Sequence, residues 1–298
     1  MAFPPTRLTL ICRIAAGGSE QDWQQFLEDY WGPICRFVVW QAGLSWHDAE
    51  DVAAATFEIL YRKQLLARWH ARRSAKLRTL LCNVVRNILG NDLRIEKLRK
   101  DALKRLIEEG GADDLLGSGG LEVPADQADI FYAAWVEDLL LSCVESLRRE
   151  LHGRGDGDSF RVLYGRVCEE LTNAEIADLL ELPPVTVENH YRTARERLQH
   201  QMKAFVRRHV RRYCDPKEAE DEFPVEWGRL GEYLLKEGGL EAAVRKSHRR
   251  SPSATADLRR SDSFITTVTL LRSATRENPA SRTSSEHGEV PESLGTME

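Results

Sequence analysis

Four polar residues at helical spacing form the most chemically suggestive group in this sequence: Glu188, Asn189, Arg192 and Arg195. Arginine binds guanine or phosphate, asparagine pairs with adenine, and a carboxylate accepts a hydrogen bond from the amino group of cytosine. The apolar residues of the same stretch recur on the opposite side and are Val187, Tyr191, Ala194 and Leu198. This pattern predicts an amphipathic helix whose polar side is suited to contact with nucleic acid.

The segment before this helix predicts a second, shorter helix joined to it by a tight turn. Thr172 and Glu175 have the spacing of a capping box, in which each side chain satisfies a backbone N–H of the other. Pro183 disfavours helical geometry at the residue before it, and Pro184 suits the first turn of the following helix. Two such helices over a shared apolar seam form a helix-turn-helix, whose second helix fits the major groove of DNA.

The distribution of charge favours DNA binding over an ordinary helical hairpin, which would have the same cap and turn. Residues 184–213 contain eight Lys and Arg residues against two acidic residues, a net charge of +6. Positive charge clustered on and beyond a candidate recognition helix is typical of phosphate contact.

A second basic region lies earlier in the chain. Residues 62–105 hold fourteen basic and three acidic residues, a net charge of +11. Within them, 77–94 predicts an amphipathic helix with Asn83, Arg86 and Arg94 on its polar face. Such a face usually meets only water, but the basic residues around it suggest a further role. A polar loop is predicted at 63–76, with Trp69 set among basic residues.

The length and composition of the chain limit its possible domain organisation. The chain has 298 residues and a net charge of −5, which leaves room for about two domains and a tail. Residues 106–129 are acidic and glycine-rich and predict a flexible linker. The sequence therefore predicts an all-α protein with two small helical domains, 20–105 and 130–213. An extension at 214–298 is expected to be partly helical and then largely disordered, with strand-like composition at 264–271.

Several classes of function are disfavoured. The six cysteines are far apart and lack a C-x-x-C pair, which favours reduced thiols over disulfides or a zinc site. We find no P-loop, H-E-x-x-H or G-x-S-x-G motif, so we expect no catalytic residue, metal or cofactor. No apolar run is long enough to span a membrane and no signal-peptide pattern is present, so we expect a cytoplasmic protein without membrane insertion.

Three motifs, taken in order, resemble the RNA polymerase sigma-70 family, and within it the small extracytoplasmic-function class. The sequence D-A-E-D at 48–51, followed by Thr56-Phe57, resembles the helix that docks on core polymerase. The sequence L-R-T-L-L at 77–81, followed by V-R-N at 85–87, resembles the helix that reads the −10 promoter element. The residues at 171–177 and 192–198 resemble the helix-turn-helix that reads the −35 element.

The resemblance implies partners and roles. Core RNA polymerase would bind Asp48 and Asp51, and promoter DNA would bind both domains. The −10 element would meet Asn83, Arg86, Asn87 and Arg94, and the −35 element would meet Glu188, Asn189, Arg192 and Arg195. Trp69 would stack on an unpaired base or, equally, serve in packing. An anti-sigma factor is a further partner of such proteins.

Two alternatives remain open from the sequence. A stand-alone helix-turn-helix regulator explains 172–213 but not the two earlier motifs. A sigma-like adaptor that has lost promoter reading is favoured by three departures from the family pattern, namely Ala54-Ala55 in place of Gln-Glu, Leu80 in place of Trp, and Glu188 in place of Lys.

Overall fold

A computed structural model describes residues 9–72, 76–90, 125–214 and 218–250. Over these ranges the chain forms α-helices and no β-strand, which confirms the predicted all-α class. The helices in chain order are α1 (Leu10–Ala15), α2 (Glu20–Ala42), α3 (Trp46–Arg62), α4 (Leu65–Arg72), α5 (Leu77–Gly90), α6 (Ala125–Gly153), α7 (Gly157–Val167), α8 (Asn173–Leu180), α9 (Pro184–Tyr213), α10 (Ala219–Lys236) and α11 (Leu240–Arg250).

Short polar residues and one glycine set the ends of the N-terminal helices. Ser19 caps α2 in a capping box with Asp22, and Gly43 ends that helix in the left-handed conformation at φ +66°. Ser45 then caps α3. Helix α2 continues through the buried Pro33 without a break.

The observed elements differ from the predicted ones in three places. Helix α1 was not predicted. The predicted loop at 63–76 contains α4, which follows a turn at Gln64 with φ +50°. Helix α6 begins at Ala125, inside the predicted linker 106–129, and the rest of that linker lies outside the described residues. Residues 251–298 also lie outside them, including the strand-like stretch at 264–271.

Helix α6 is the central element of the fold. It packs against α2 and α5 from the predicted first domain and against α7, α9 and α11 from the remainder of the chain. Its buried apolar residues extend over more than one face: Phe131, Trp135 and Leu139 follow one side at four-residue spacing, and Leu140 lies about 100° further around the helix than Leu139. A helix that is apolar over so much of its circumference is buried between layers.

The two predicted domains therefore share a core. Besides the α2–α6 contact, α1 contacts α9, and Tyr30 of α2 packs its ring against Tyr213 of α9. Arg212 of α9 also binds Asp29 of α2 at 2.7 Å. The described residues of 20–105 and 130–213 thus form two halves in direct contact. The sequence did not predict this contact because amphipathic patterns indicate which face is buried but not which helix covers it.

None of the helices in the described ranges has the length and apolar character needed to cross a bilayer.

Candidate nucleic-acid interface

The turn between α8 and α9 is built by the residues that the sequence singled out. The backbone N–H of Thr172 donates to Glu175 Oε2 at 2.7 Å, and the N–H of Glu175 donates to Thr172 Oγ1 at 3.3 Å, which confirms the predicted capping box. Helix α8 ends at Glu181, which adopts the left-handed conformation at φ +56°. Pro183 is extended and Pro184 is the first residue of α9. The two helices form a helix-turn-helix.

The first turns of α9 have the predicted division between a buried and an exposed face. The apolar stripe is buried and comprises Val187, Tyr191, Ala194 and Leu198. On the other side Glu188, Asn189 and Arg192 are exposed, as is Val185 at 73% of its surface. These four residues share one face of the helix, because they are spaced by three, four and seven positions. The exposed face thus combines an anion, an amide, a cation and an apolar group.

Two residues from other helices hold the carboxylate of Glu188 in place. Asn173 Nδ2 of α8 donates to Glu188 Oε2 at 2.9 Å, and Arg166 Nη1 of α7 donates to the same oxygen at 3.0 Å. The hydrogen bond from Asn173, followed by that from Arg166, lowers the pKa of Glu188. The side chain is therefore a positioned, ionised acceptor at neutral pH. Sequence reasoning missed Arg166 and Asn173, because no helical periodicity links them to α9.

The neighbouring amide and cation interact with each other on the same surface. Arg192 Nη2 donates to Asn189 Oδ1 at 3.2 Å, one turn away along the helix. Arg166 also lies over the ring of Tyr191, with its guanidinium carbon 3.9 Å from the ring centroid. Two arginines, Arg166 and Arg192, therefore lie at this surface.

Arg195 does not join this exposed group. It is half-buried at the edge of the surface, where its Nε donates to Glu241 Oε1 of α11 at 2.6 Å. The hydroxyl of Tyr191 donates to the same oxygen at 3.0 Å. The hydrogen bond with Glu241 raises the pKa of Arg195. Of the four predicted residues, the structure brings three together on the open face and covers the fourth with the C-terminal extension.

Helix α5 places three of its four predicted residues on one side. Asn83, Arg86 and Asn87 are partly exposed, opposite a buried face made of Leu77, Leu81, Val84 and Ile88. The fourth, Arg94, lies outside the described residues. Among the described residues, the partly exposed face of α5 is therefore polar and carries one cation, Arg86.

The burial of Trp69 decides between its two predicted roles, stacking on a base and packing in the core. This residue lies in α4 and not in a loop, and only 8% of its surface is exposed. It lines a cavity of about 390 Å³ together with His70, Lys76 and Arg78. Packing is thus the role that the structure supports, and the predicted stacking on a base lacks an exposed ring.

The start of α5 carries a buried ion pair that sequence reasoning missed. Arg78 Nη2 donates to Glu226 Oε1 of α10 at 2.5 Å, and these side chains are only 12% and 6% exposed. The Arg78 guanidinium also lies over the rings of Tyr132 and Trp135, at 4.9 and 5.1 Å. Burial alone would raise the pKa of Glu226, but the charge of Arg78 and that of Lys76 lower it to about 2.

Lys76 extends this contact towards the surface. Its Nζ donates to Glu222 Oε1 at 2.8 Å and to Glu226 Oε1 at 3.3 Å. Glu222 and Glu226 line the same cavity as Trp69 and Lys76. Because the paired residues are 146 and 150 positions apart, no local pattern in the sequence could have indicated them.

The predicted polymerase-binding residues lie near the start of α3. The hydroxyl of Ser45 donates to Asp48 Oδ2 at 2.6 Å, and the N–H of Asp48 donates to Ser45 Oγ at 3.2 Å. Asp48 therefore also contributes to the helix cap. Asp51 lies one turn closer to the C-terminus, and both side chains are partly exposed.

Within the described ranges no group of three or more His, Cys, Asp or Glu residues is arranged to hold a metal ion. Comparison of the chain with protein-family models, curated proteins and solved structures finds no match. The functional argument therefore rests on the residues and their geometry.

Proposed function

We propose that this chain is a sigma factor of the extracytoplasmic-function type, which binds core RNA polymerase and directs promoter-specific initiation of transcription. The observation that carries the proposal is the exposed face of α9, where Glu188, Asn189 and Arg192 lie together over a buried apolar stripe. Because a recognition helix reads bases with its N-terminal turns, this face is the part of the protein best suited to a duplex.

Each exposed side chain fits a distinct contact in the major groove. Arg192 suits guanine or a phosphate, Asn189 suits adenine, and Glu188 suits the amino group of cytosine. Val185 adds an apolar contact for a thymine methyl group. Arg166 and Asn173 already fix the carboxylate of Glu188 at 3.0 and 2.9 Å, so little side-chain freedom is lost when it binds.

The other proposed contacts use the N-terminal half. Asn83, Arg86 and Asn87 on α5 would face the −10 element, and Asp48 and Asp51 on α3 would face core polymerase. No chemical step is required of this chain, since a sigma factor positions the polymerase and leaves catalysis to it. The motif order described above, with a basic helix before an acidic stretch and a helix-turn-helix after it, supports this division of roles.

The test is transcription in vitro with purified core polymerase and fragmented DNA from the host genome, with and without the full chain. We expect discrete new start sites that share spaced upstream elements. Asn189→Ala and Arg192→Ala should reduce output from these sites, whereas Arg149→Ala should not, because Arg149 is an exposed arginine of α6 that pairs with Glu145 of the same helix. Unchanged initiation on addition of the chain would reject the proposal.

A stand-alone helix-turn-helix regulator is the second candidate. One observation favours it: the start of α5 is engaged by Glu222 and Glu226, whereas the exposed face of α9 is not covered by α10 or α11. Salt-sensitive binding of the chain to duplex DNA in the absence of polymerase, combined with no initiation in its presence, would establish this candidate instead.

A further inference from the structure

We propose that α10 and α11 form an intramolecular inhibitor that places carboxylates against cations of both proposed DNA-contacting helices. This inference rests on the proposed function and adds a form of regulation to the same interface. We refer to Glu222, Glu226 and Glu241 as the acidic clamp.

The first contact of the acidic clamp is at the start of α5. Glu222 and Glu226 both accept from Lys76, and Glu226 also accepts from Arg78. These carboxylates line the cavity of about 390 Å³ together with Trp69 and Lys76. A strand of DNA that approached the start of α5 would meet the partly exposed carboxylate of Glu222 beside Lys76.

The second contact is at the edge of the recognition helix. Glu241 accepts from Arg195 Nε at 2.6 Å and from the Tyr191 hydroxyl at 3.0 Å. It lies in the first turn of α11, which packs against α6 and α7. Helices α10 and α11 are joined through Gly238 and Gly239, which adopt φ +87° and +107°. One helical pair thus contacts both halves of the proposed interface.

A carboxylate and a DNA phosphate compete for the same donors. Both are oxygen anions that bind arginine and lysine through short, charge-assisted hydrogen bonds. Lys76 and Arg195 are therefore unable to bind phosphate fully while Glu222 and Glu241 hold them. The carboxylates themselves would also be repelled by the DNA backbone.

The ion pairs of the acidic clamp differ in burial, and this difference assigns their roles. The Glu226–Arg78 pair is almost fully buried and anchors α10, whereas Lys76 and Arg195 are 51% and 41% exposed in their pairs. Exposed pairs are weak and screened by salt, so polymerase and DNA could displace them at little cost. We therefore assign reversible inhibition to Glu222 and Glu241 and a structural role to Glu226.

The experiment uses the full chain with Glu222→Gln and Glu241→Gln combined, a pair of substitutions that spares the buried anchor. The matched control combines Asp221→Asn and Glu232→Gln, which remove the same charge from exposed positions of α10. Output from the strongest start site is measured with limiting chain and core polymerase. We expect the clamp variant to increase output about three- to tenfold at about 50 mM salt, the range that two exposed ion pairs can account for.

Salt and hydrogen exchange make the test specific. The gain should shrink at about 300 mM salt because exposed charges are then screened. Amide exchange in 219–236 and 240–250 of the unaltered chain should accelerate when polymerase and promoter DNA are added. Equal output from both variants, or unchanged exchange, overturns the inference while leaving the sigma function intact. Absence of initiation and of DNA binding by every variant rejects the sigma function together with the inference.

Discussion

The two helices proposed to contact DNA, α5 and α9, differ in how far other helices enclose their first turns. The first turns of α9 leave Glu188, Asn189 and Arg192 open to solvent. The start of α5, in contrast, lies against α6 and α10, with Arg78 enclosed by two aromatic rings and Glu226. The same residue type, arginine, is thus a surface group in one helix and a core group in the other.

This contrast predicts how the removal of an arginine affects folding and binding at each position. An exposed arginine keeps its hydration, so its removal changes binding more than folding. A buried arginine has lost its hydration and depends on its partner, so its removal leaves an uncompensated charge behind. Substitutions in the two helices should therefore separate folding from function, and the following predictions are ordered by their expected effect on stability.

Arg78→Ala should have the largest effect. It leaves the buried Glu226 dependent on its longer contact with Lys76, at 3.3 Å, and removes the contacts of Arg78 with the rings of Tyr132 and Trp135. We expect the free energy of unfolding, measured by urea denaturation, to fall by about 3–5 kcal/mol.

Replacing both members of this pair is the control for Arg78→Ala. Arg78→Met combined with Glu226→Leu should recover most of the loss, because neither charge then remains buried. An Arg78→Ala variant within about 0.5 kcal/mol of the unaltered chain, the usual range for surface substitutions, would show that this arginine is not a core group.

The second largest effect should be the pH dependence of the folding stability that His209 causes. It is buried in α9 between the rings of Trp135 and Tyr30, and burial lowers its pKa to about 3. The unfolded chain binds this proton near pH 6.5, so stability is full above that value and decreases as the pH falls towards 3. We expect a loss of about 2 kcal/mol between pH 7 and 5.

His209→Gln should flatten the stability profile over that range, because glutamine does not titrate. Glu226 should not contribute to this slope. Its pKa is lowered to about 2, so the stability that it provides is lost only as the pH falls below its ordinary pKa of 4.5. An unchanged slope in the His209→Gln variant would mean that this histidine is protonated in the folded chain.

Thr172→Ala tests the open helix-turn-helix, where local interactions set the geometry. It removes the side-chain acceptor of the capping box at the start of α8. We expect a loss of about 1 kcal/mol, measured as a shift in the midpoint of denaturation, and Thr172→Ser should retain most of the stability. A loss as large as that of Arg78→Ala would show that the motif depends on more than its cap.

The same contrast explains which features could be predicted from the sequence. The helix-turn-helix was predictable because Thr172, Glu175 and Pro184 act on residues within one turn of themselves. The all-α class followed from periodicity along each helix. Neither signal reports which helices pack together. The shared core around α6 was therefore not predicted, and the two alternatives for Trp69 could not be separated.

The ion pairs that the C-terminal extension makes could not be predicted from the sequence for the same reason. Glu226 lies 148 positions from Arg78, and Glu241 lies 46 positions from Arg195. In the sequence these acids belong to a segment of mixed charge without a distinctive pattern. Only the fold shows that they face cations and that Glu241 covers Arg195 at the edge of the polar face.

Arg192→Ala should have the smallest effect on stability and the clearest effect on DNA. Arg192 is exposed and donates to Asn189 of the same helix, so the free energy of unfolding should change by less than about 0.5 kcal/mol. If it binds a phosphate, the slope of log affinity against log salt should decrease by about 1. Arg195→Ala in the full chain should change affinity less, because Glu241 already competes for this residue. Equal losses for the two arginines would place both on the open DNA-contacting surface and remove the distinction between the exposed face of α9 and its covered edge.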